Sequence, residues 1–413
     1  MMNWFKIHLN DFILFFIFTG IVSTLSEFLM TPRTISGLAL YFLFFLKYFV
    51  FKYNFNTKLD KRLLILYFLF FLSLFVSAVL SEDPFYSFHW IKKSYWVSLA
   101  ITLGVVSIGF EKKLFKTLIC SMIITLFLNN MHFYFKAVKI CHTYNIFSSK
   151  FFIDRNYSSL LEILLPFGFF GIFYFRSNLF KIFTLLNTLA GIVLLILCGT
   201  PQGSTVRGAY ISIFCEFLVF IFLLKYIPQY RIWAKRIFII FSIGIVSVFL
   251  VLKNHKVIKN AFRKCFSSSG RIMIIKDRLP LFIKYKPIFG IGYGRNLYFN
   301  FLNKHHVPKR GGYYDKKEKQ FVYFSDEGLF IQTFMRQGII GLIIFIILYG
   351  YSIKLSFNLG VSINNQNFKI IYFTILTILI GHFFVRGLVE TLSLTSYFIL
   401  ISFLLPQPKF NGK

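Results

Sequence analysis

The chain has 413 residues, with 46 Lys and Arg against 15 Asp and Glu, a formal net charge of +31. Hydrophobic residues make up 57%, aromatics 21% and charged residues only 15%, and the mean hydropathy is +0.68. Soluble domains lie near 45–50% apolar and about 25% charged, so this balance excludes an ordinary soluble protein. The cations sit in loops between apolar runs, which argues for a membrane setting and against nucleic-acid binding.

Apolar runs of roughly 17–22 residues recur along the chain, each long enough to cross a hydrocarbon core of about 30 Å as a helix. They predict spans at about 11–30, 35–51, 63–80, 94–110, 114–135, 157–175, 179–199, 208–227, 237–252, 328–352, 368–385 and 388–405. The expected fold is an all-α membrane protein, a polytopic bundle of about 12 transmembrane helices with one long outer loop between helices 9 and 10. Residues 1–252 would hold helices 1–9, residues 253–327 the large basic loop and residues 328–413 helices 10–12. The stretch from Phe12 reads as a first membrane helix and not as a cleaved signal, because Thr31, Pro32 and Arg33 lead into another span. With both termini in the cytoplasm, the inner loops collect 18 Lys and Arg and the short outer loops 9, the asymmetry expected of that orientation.

Between the third and fourth spans, Ser81-Glu-Asp-Pro84 reads as a turn and FYSFHWIKKSYW as an interfacial piece with Trp90 and Trp96 at headgroup depth. Asp154, Arg155 and Asn156 precede the sixth span, and Glu162 falls inside it. A carboxyl at that depth is either functional or held by hydrogen bonds within the bundle. Arg207 stands at the mouth of the eighth span, and Arg386 and Glu390 lie about one helical turn apart, a spacing that suits an ion pair. Cys120, Cys141, Cys198, Cys215 and Cys265 show no metal or disulfide spacing and read as small hydrophobes.

The segment from Lys253 to Phe324 carries 17 Lys and Arg against Asp277, Asp315 and Glu318. On the outer side this charge runs against the usual bias, so the segment is either a solvated face or an anion-handling one. The run Gly290-Ile-Gly292-Tyr-Gly294-Arg295 lacks the third spaced glycine, the preceding strand and the later acid of a dinucleotide fingerprint. Its alternate glycines suit unusual backbone angles and close approach to a ligand. His305 and His306 read as a surface pair with no third metal ligand at useful spacing. Asp326 and Glu327 stand where the basic segment meets the tenth span. They are either an acidic helix cap or a general base. Arg336, nine residues beyond Glu327, would lie at membrane depth facing protein or a wet cavity. No Walker A, HExxH or GxSxG pattern is present.

Four stretches in order, STVRGAYISI, SSSGRIMIIKDRLPLF, KPIFGIGYGR and EGLFIQTFMRQGIIGLIIF, resemble the O-antigen ligase and O-antigen polymerase superfamily of bacterial envelope polysaccharide assembly. The resemblance covers roughly residues 150–350. It implies a metal-independent glycosyltransferase without cofactor, acting on polyprenyl-diphosphate-linked oligosaccharide at the outer face of the bacterial inner membrane. Expected partners are that glycan lipid, membrane lipids, a chain-length regulator and a flippase, with no nucleic acid. By position, Arg207 and Arg271 match the family's motif arginines, and Pro287, Gly290, Gly292 and Gly294 match its Pro-x-x-Gly-x-Gly-x-Gly segment. Glu327 stands where ligases carry a histidine, eleven residues ahead of Gly338. That departure favours a polymerase. Arg207 and Arg271, with Arg278 or Arg295, would hold diphosphate, and Glu327 or Asp326 would deprotonate the acceptor hydroxyl. The alternatives are a ligase acting on lipid or protein, a lipid-linked glycan flippase, and a non-catalytic assembly partner.

Overall fold

The computed structural model describes residues 2–26, 28–53, 58–143, 155–198, 207–232, 236, 239, 271–309, 312–315, 320–323, 328–388, 390 and 392–408. Helices dominate: α1 (Met2–Thr24), α2 (Met30–Phe45, continued by a π-helical turn Leu46–Val50), α3 (Lys61–Val79), α4 (Pro84–Ile108), α5 (Lys112–Thr143), α6 (Arg155–Tyr174), α7 (Asn178–Cys198) and α8 (Arg207–Leu224). Then follow α9 (Arg271–Tyr285), α10 (Arg295–Lys304), the hairpin β1 (Gly312–Asp315) and β2 (Gln320–Tyr323), and α11 (Leu329–Ser362). The last elements are α12 (Gln366–Ile378, continued as a π-helix Leu379–Arg386) and α13 (Leu394–Ser402). Among the described residues, nine helices are long and apolar enough to cross a membrane, and Gly208–Leu224 is a shorter apolar one. The chain is an all-α, multi-pass membrane protein.

Three expectations are revised. The fourth span begins at Pro84, not near residue 94, because the Asp83 side chain accepts from Tyr86 N at 2.9 Å and Pro84 occupies the first helical turn. The interfacial piece is therefore the opening of α4. Among the described residues, the last span is α-helical over Leu394–Ser402. The basic segment, read as a long polar loop, contains two helices and an antiparallel hairpin pairing Tyr313 with Val322. The predicted ninth span, 237–252, lies outside the described residues but for Ile239.

Contacts divide the chain into two units. The first comprises residues 1–125, 273–356 and 387–413. Its interior is aromatic: Phe398 lies 5.1 Å from Phe70, 5.0 Å from Tyr67 and 5.7 Å from Tyr95, ring centre to ring centre, and Phe345 closes the cluster 5.8 Å from Phe70. Such ring pairs add about 0.5–1.5 kcal/mol each beyond area burial. The abundant Phe thus builds the packing. Buried Lys47 donates to Asn10 Oδ1 at 2.8 Å and to the Ser107 carbonyl at 2.5 Å, so its ammonium is held by α1 and α4.

The second unit comprises residues 126–272 and 357–386. Phe133 stacks on Tyr157 at 4.2 Å. The Tyr157 hydroxyl donates to Asn130 Oδ1 at 2.8 Å, while Asn130 Nδ2 donates to the Asn187 carbonyl at 2.9 Å. Polar groups at membrane depth are tolerable only when paired in this way.

Candidate functional site

The glycine loop and α11 form one construction in the first unit. α11 is two helices meeting at Gly338, whose φ of 68° and ψ of −167° suit glycine alone. A break there leaves the last carbonyls of the first half without intrahelical donors. The loop supplies them: Ile291 N donates to the Met335 carbonyl at 3.0 Å and Gly292 N to the Arg336 carbonyl at 3.1 Å. In return Ile339 N, which opens the second half, donates to the Pro287 carbonyl at 2.8 Å. Ser77 Oγ on α3 adds a second bond to the Arg336 carbonyl at 2.5 Å, and Ser73 Oγ holds Gln337 Oε1 at 2.8 Å.

Three glycines make this approach possible. Gly290, at φ 69°, would place a Cβ 2.5 Å from the Arg336 carbonyl oxygen. Gly292 would place one 2.5 Å from Ser81 Cβ, and Gly294 one 2.5 Å from the Tyr86 ring. Tyr293 N donates to Ser87 Oγ at 2.8 Å and Asn296 N to the Tyr86 hydroxyl at 3.2 Å, fixing the loop on the first turn of α4.

This junction sets two arginines beside the loop. Arg336 is half-buried, with its guanidinium 4.4 Å from the centre of the Tyr293 ring, and Tyr293 in turn lies 5.5 Å from Tyr95. Such cation–π contact stabilises a cation away from bulk water. Arg295 begins α10 directly after Gly294 and is exposed, resting over Phe299 at 5.0 Å and 3.5 Å from the Tyr313 hydroxyl. A helix start beside an arginine favours anions through both backbone donors and charge.

Arg278 has a different environment. It is 1% exposed, donates to the Tyr298 hydroxyl at 2.6 Å, and lies 5.2 Å from the Tyr323 ring. Around it Phe282, Tyr298, Phe301, Leu302, Val322 and Tyr323 form the core of a folded cap. Burial pushes the Tyr323 phenol up, against the pull of Arg278. An exposed pair, Lys304 Nζ to Glu82 Oε1 at 3.0 Å, ties α10 to the α3–α4 turn. His305 is not a free surface side chain, since it stacks on Tyr285 at 4.1 Å, whereas His306 is exposed.

Other predicted residues are less fully placed. Arg207 and Arg271 are the first described residues of α8 and α9. Asp326 and Glu327 lie outside the described residues. The chain directly after them is pinned: Gly328 has φ 92°, and Leu329 N donates to the Gly387 carbonyl at 2.7 Å.

In the second unit the structure assembles a buried polar group from Glu162, His382, Arg386 and Ser158. Glu162 Oε2 meets His382 Nδ1 at 2.9 Å, Arg386 Nη1 pairs with Glu162 Oε1, and Arg386 Nη2 reaches Ser158 Oγ at 3.5 Å. Glu162 is thus held within the bundle by a hydrogen bond to His382 and an ion pair with Arg386. Glu216 is also buried, with Ser212 Oγ 3.4 Å from its Oε1. Sequence reasoning missed His382 and Glu216. The signal was present in GHFFVR and FCEFL, where an ionisable residue interrupts an apolar run.

No curated protein matches the chain. Residues 192–346, which include the glycine loop, both loop arginines and the Gly338 break, match the family model described as O-Antigen ligase. That stretch, somewhat over a third of the chain, is similar to the O-antigen ligase family, and it lies in a multi-pass helical membrane protein.

Proposed function

We propose that the protein is a polysaccharide polymerase of the bacterial inner membrane, both termini cytoplasmic and the cap outside. It would move a growing glycan from polyprenyl diphosphate onto a second carrier-linked repeat unit. The acceptor hydroxyl oxygen attacks the anomeric carbon while the bond from that carbon to diphosphate oxygen breaks. The hydroxyl proton passes to the carboxylate of Glu327 or Asp326, and polyprenyl diphosphate leaves. The observation that carries this reading is the glycine loop seated in the Gly338 break, with exposed Arg295 and half-buried Arg336 beside it.

Of Arg278 and Arg295, Arg295 is the better placed to touch diphosphate, because Arg278 is enclosed by Tyr298 and Tyr323. Arg278 would act by holding the cap. Arg207 and Arg271 take the same diphosphate-binding role from their motif positions. Fixed cations aimed at a leaving group in which charge builds lower the barrier without reorganisation.

A ligase is the second reading, favoured by the description of the matching family model. The test is purified protein incubated with a defined polyprenyl-diphosphate repeat unit. A polymerase yields products lengthened by whole repeats, and Arg295→Ala slows them ~100-fold, the usual loss for one charge-stabilising donor. Transfer only to an added lipid acceptor selects the ligase. Unchanged elongation by Arg295→Ala removes that residue from the site.

A further inference from the structure

The outward face of α9 is built unlike the rest of the cap. Ile274, Arg278 and Phe282, spaced by four, point into the cap core. The opposite stripe carries Met273, Lys276, Pro280, Ile283 and Lys284, all exposed and at helical spacing. Met273 and Ile283 are each 55% exposed, and the turn that follows exposes Ile288 and Phe289. Lys286 adds a third cation. The acid that borders this face, Asp277, is partly buried with its Oδ2 enclosed, and an exposed helix face that mixes large apolar side chains with lysines is the pattern of a helix lying in a membrane interface.

Where the membrane surface runs follows from α11. Its second part, Ile339 to Ser362, is about 36 Å long at 1.5 Å per residue, enough to cross the core without the first part. The Gly338 break therefore falls at one membrane face. Just past it Ile339, Ile343, Ile346 and Ile347 are exposed along one side, as a lipid-facing helix requires. A Cβ on Gly338 would overlap the Ile288 carbonyl, so Ile288 and Phe289 sit at the top of this lipid-facing side. Trp90, beside Gly294 and under the Lys93 ammonium at 4.7 Å, is an interfacial aromatic at the same loop. The apolar face of α9 is thus continuous with the lipid-facing wall of the first unit.

We propose that α9 and the turn Lys286–Phe289 dock on the bilayer surface and bind anionic phospholipid headgroups through Lys276, Lys284 and Lys286. Met273, Ile283 and Phe289 enter the headgroup–acyl boundary. The glycine loop and Arg295 are held at headgroup depth as a consequence. This holds whatever reaction the enzyme performs.

The test uses full-length protein in nanodiscs without glycan substrate. A bimane label is placed at Ile283→Cys or Phe289→Cys, with Tyr314→Cys on the hairpin as control, in a background lacking the native cysteines. Spin-labelled phosphatidylglycerol should quench positions 283 and 289 and leave 314 bright. Spin-labelled phosphatidylcholine should quench 283 less. Each of Lys276→Gln, Lys284→Gln and Lys286→Gln should reduce the preference for phosphatidylglycerol, by up to roughly fivefold per lysine. Lys276 and Lys284 are exposed, Lys286 is partly so, and none belongs to the cap core, so the variants keep that core intact. Absence of quenching at both 283 and 289 overturns the docking. Equal quenching by the two lipids overturns the anionic recognition. Glycan elongation by the same variants, read separately, bears on the polymerase reading alone.

Discussion

Replacing Gly338 by alanine tests whether the break in α11 organises the first unit. Two costs arise. Gly338 holds φ 68° and ψ −167°, and forcing a side chain into that region costs about 1–3 kcal/mol. The new Cβ would also overlap the Ile288 carbonyl, so the loop must retreat from the helix. That retreat breaks three backbone bonds: Ile339 N to Pro287 O, Ile291 N to Met335 O and Gly292 N to Arg336 O. At about 0.5–1.5 kcal/mol each they add about 2–4 kcal/mol. The sum, about 3–7 kcal/mol, is a large part of the 5–15 kcal/mol typical of a whole domain. Gly350 supplies the control, because it lies in the same helix with nothing within 4 Å of its added Cβ. Gly350→Ala should be neutral or stabilising by up to about 1 kcal/mol. The assay is thermal unfolding in nanodiscs followed by tryptophan fluorescence, to which Trp90 contributes from beside Gly294. Equal midpoints for Gly338→Ala and Gly350→Ala would falsify the loop-in-break account.

Tyr298→Phe keeps the ring that packs on Phe282 and removes one acceptor, at 2.6 Å, of the buried Arg278 guanidinium. It should destabilise by about 1.5–3 kcal/mol, read as a lower denaturant midpoint; no change would mean that Arg278 is satisfied without the phenol. Arg386→Met leaves Glu162 buried with His382 as its remaining partner in the ion pairs described. The loss should be about 3–5 kcal/mol, and adding Glu162→Gln should recover most of it; strictly additive losses would show that the two residues are not coupled.

The membrane class and most helix positions were readable because a bilayer demands long apolar runs, and hydropathy measures them directly. Errors arose where another signal outweighed hydropathy. The polar start of α4 was read as a separate interfacial piece, although Asp83-Pro84 is a helix-start signature. The cap was read as loop because its lysines dominate the composition. Its core is nevertheless encoded at helical spacing, in Ile274 and Phe282 on α9 and in Leu297, Tyr298, Phe301 and Leu302 on α10. Flanking cations hid an amphipathic pattern that a strict count of periods recovers.

The glycine run shows why the site was harder to read. Alternate glycines announced close approach, and the sequence reading supplied a ligand as the thing approached. What the glycines touch is protein: Gly290 faces the backbone at Arg336, Gly292 faces Ser81 and Gly294 faces Tyr86. The partner that explains Gly290 is Gly338, nearly fifty residues away, and no local pattern links the two. Gly338 itself looked like one glycine in an apolar helix, where the usual reading is a tolerated defect. Only the pairing of a helix that must break with a loop that must carry donors turns both into one device. The arginines follow from it: Arg336 is the last position but one before the break, and Arg295 the first helical residue after the loop. The charge was legible in the sequence as composition. Its placement depends on hydrogen bonds between segments far apart in the chain, which composition does not record.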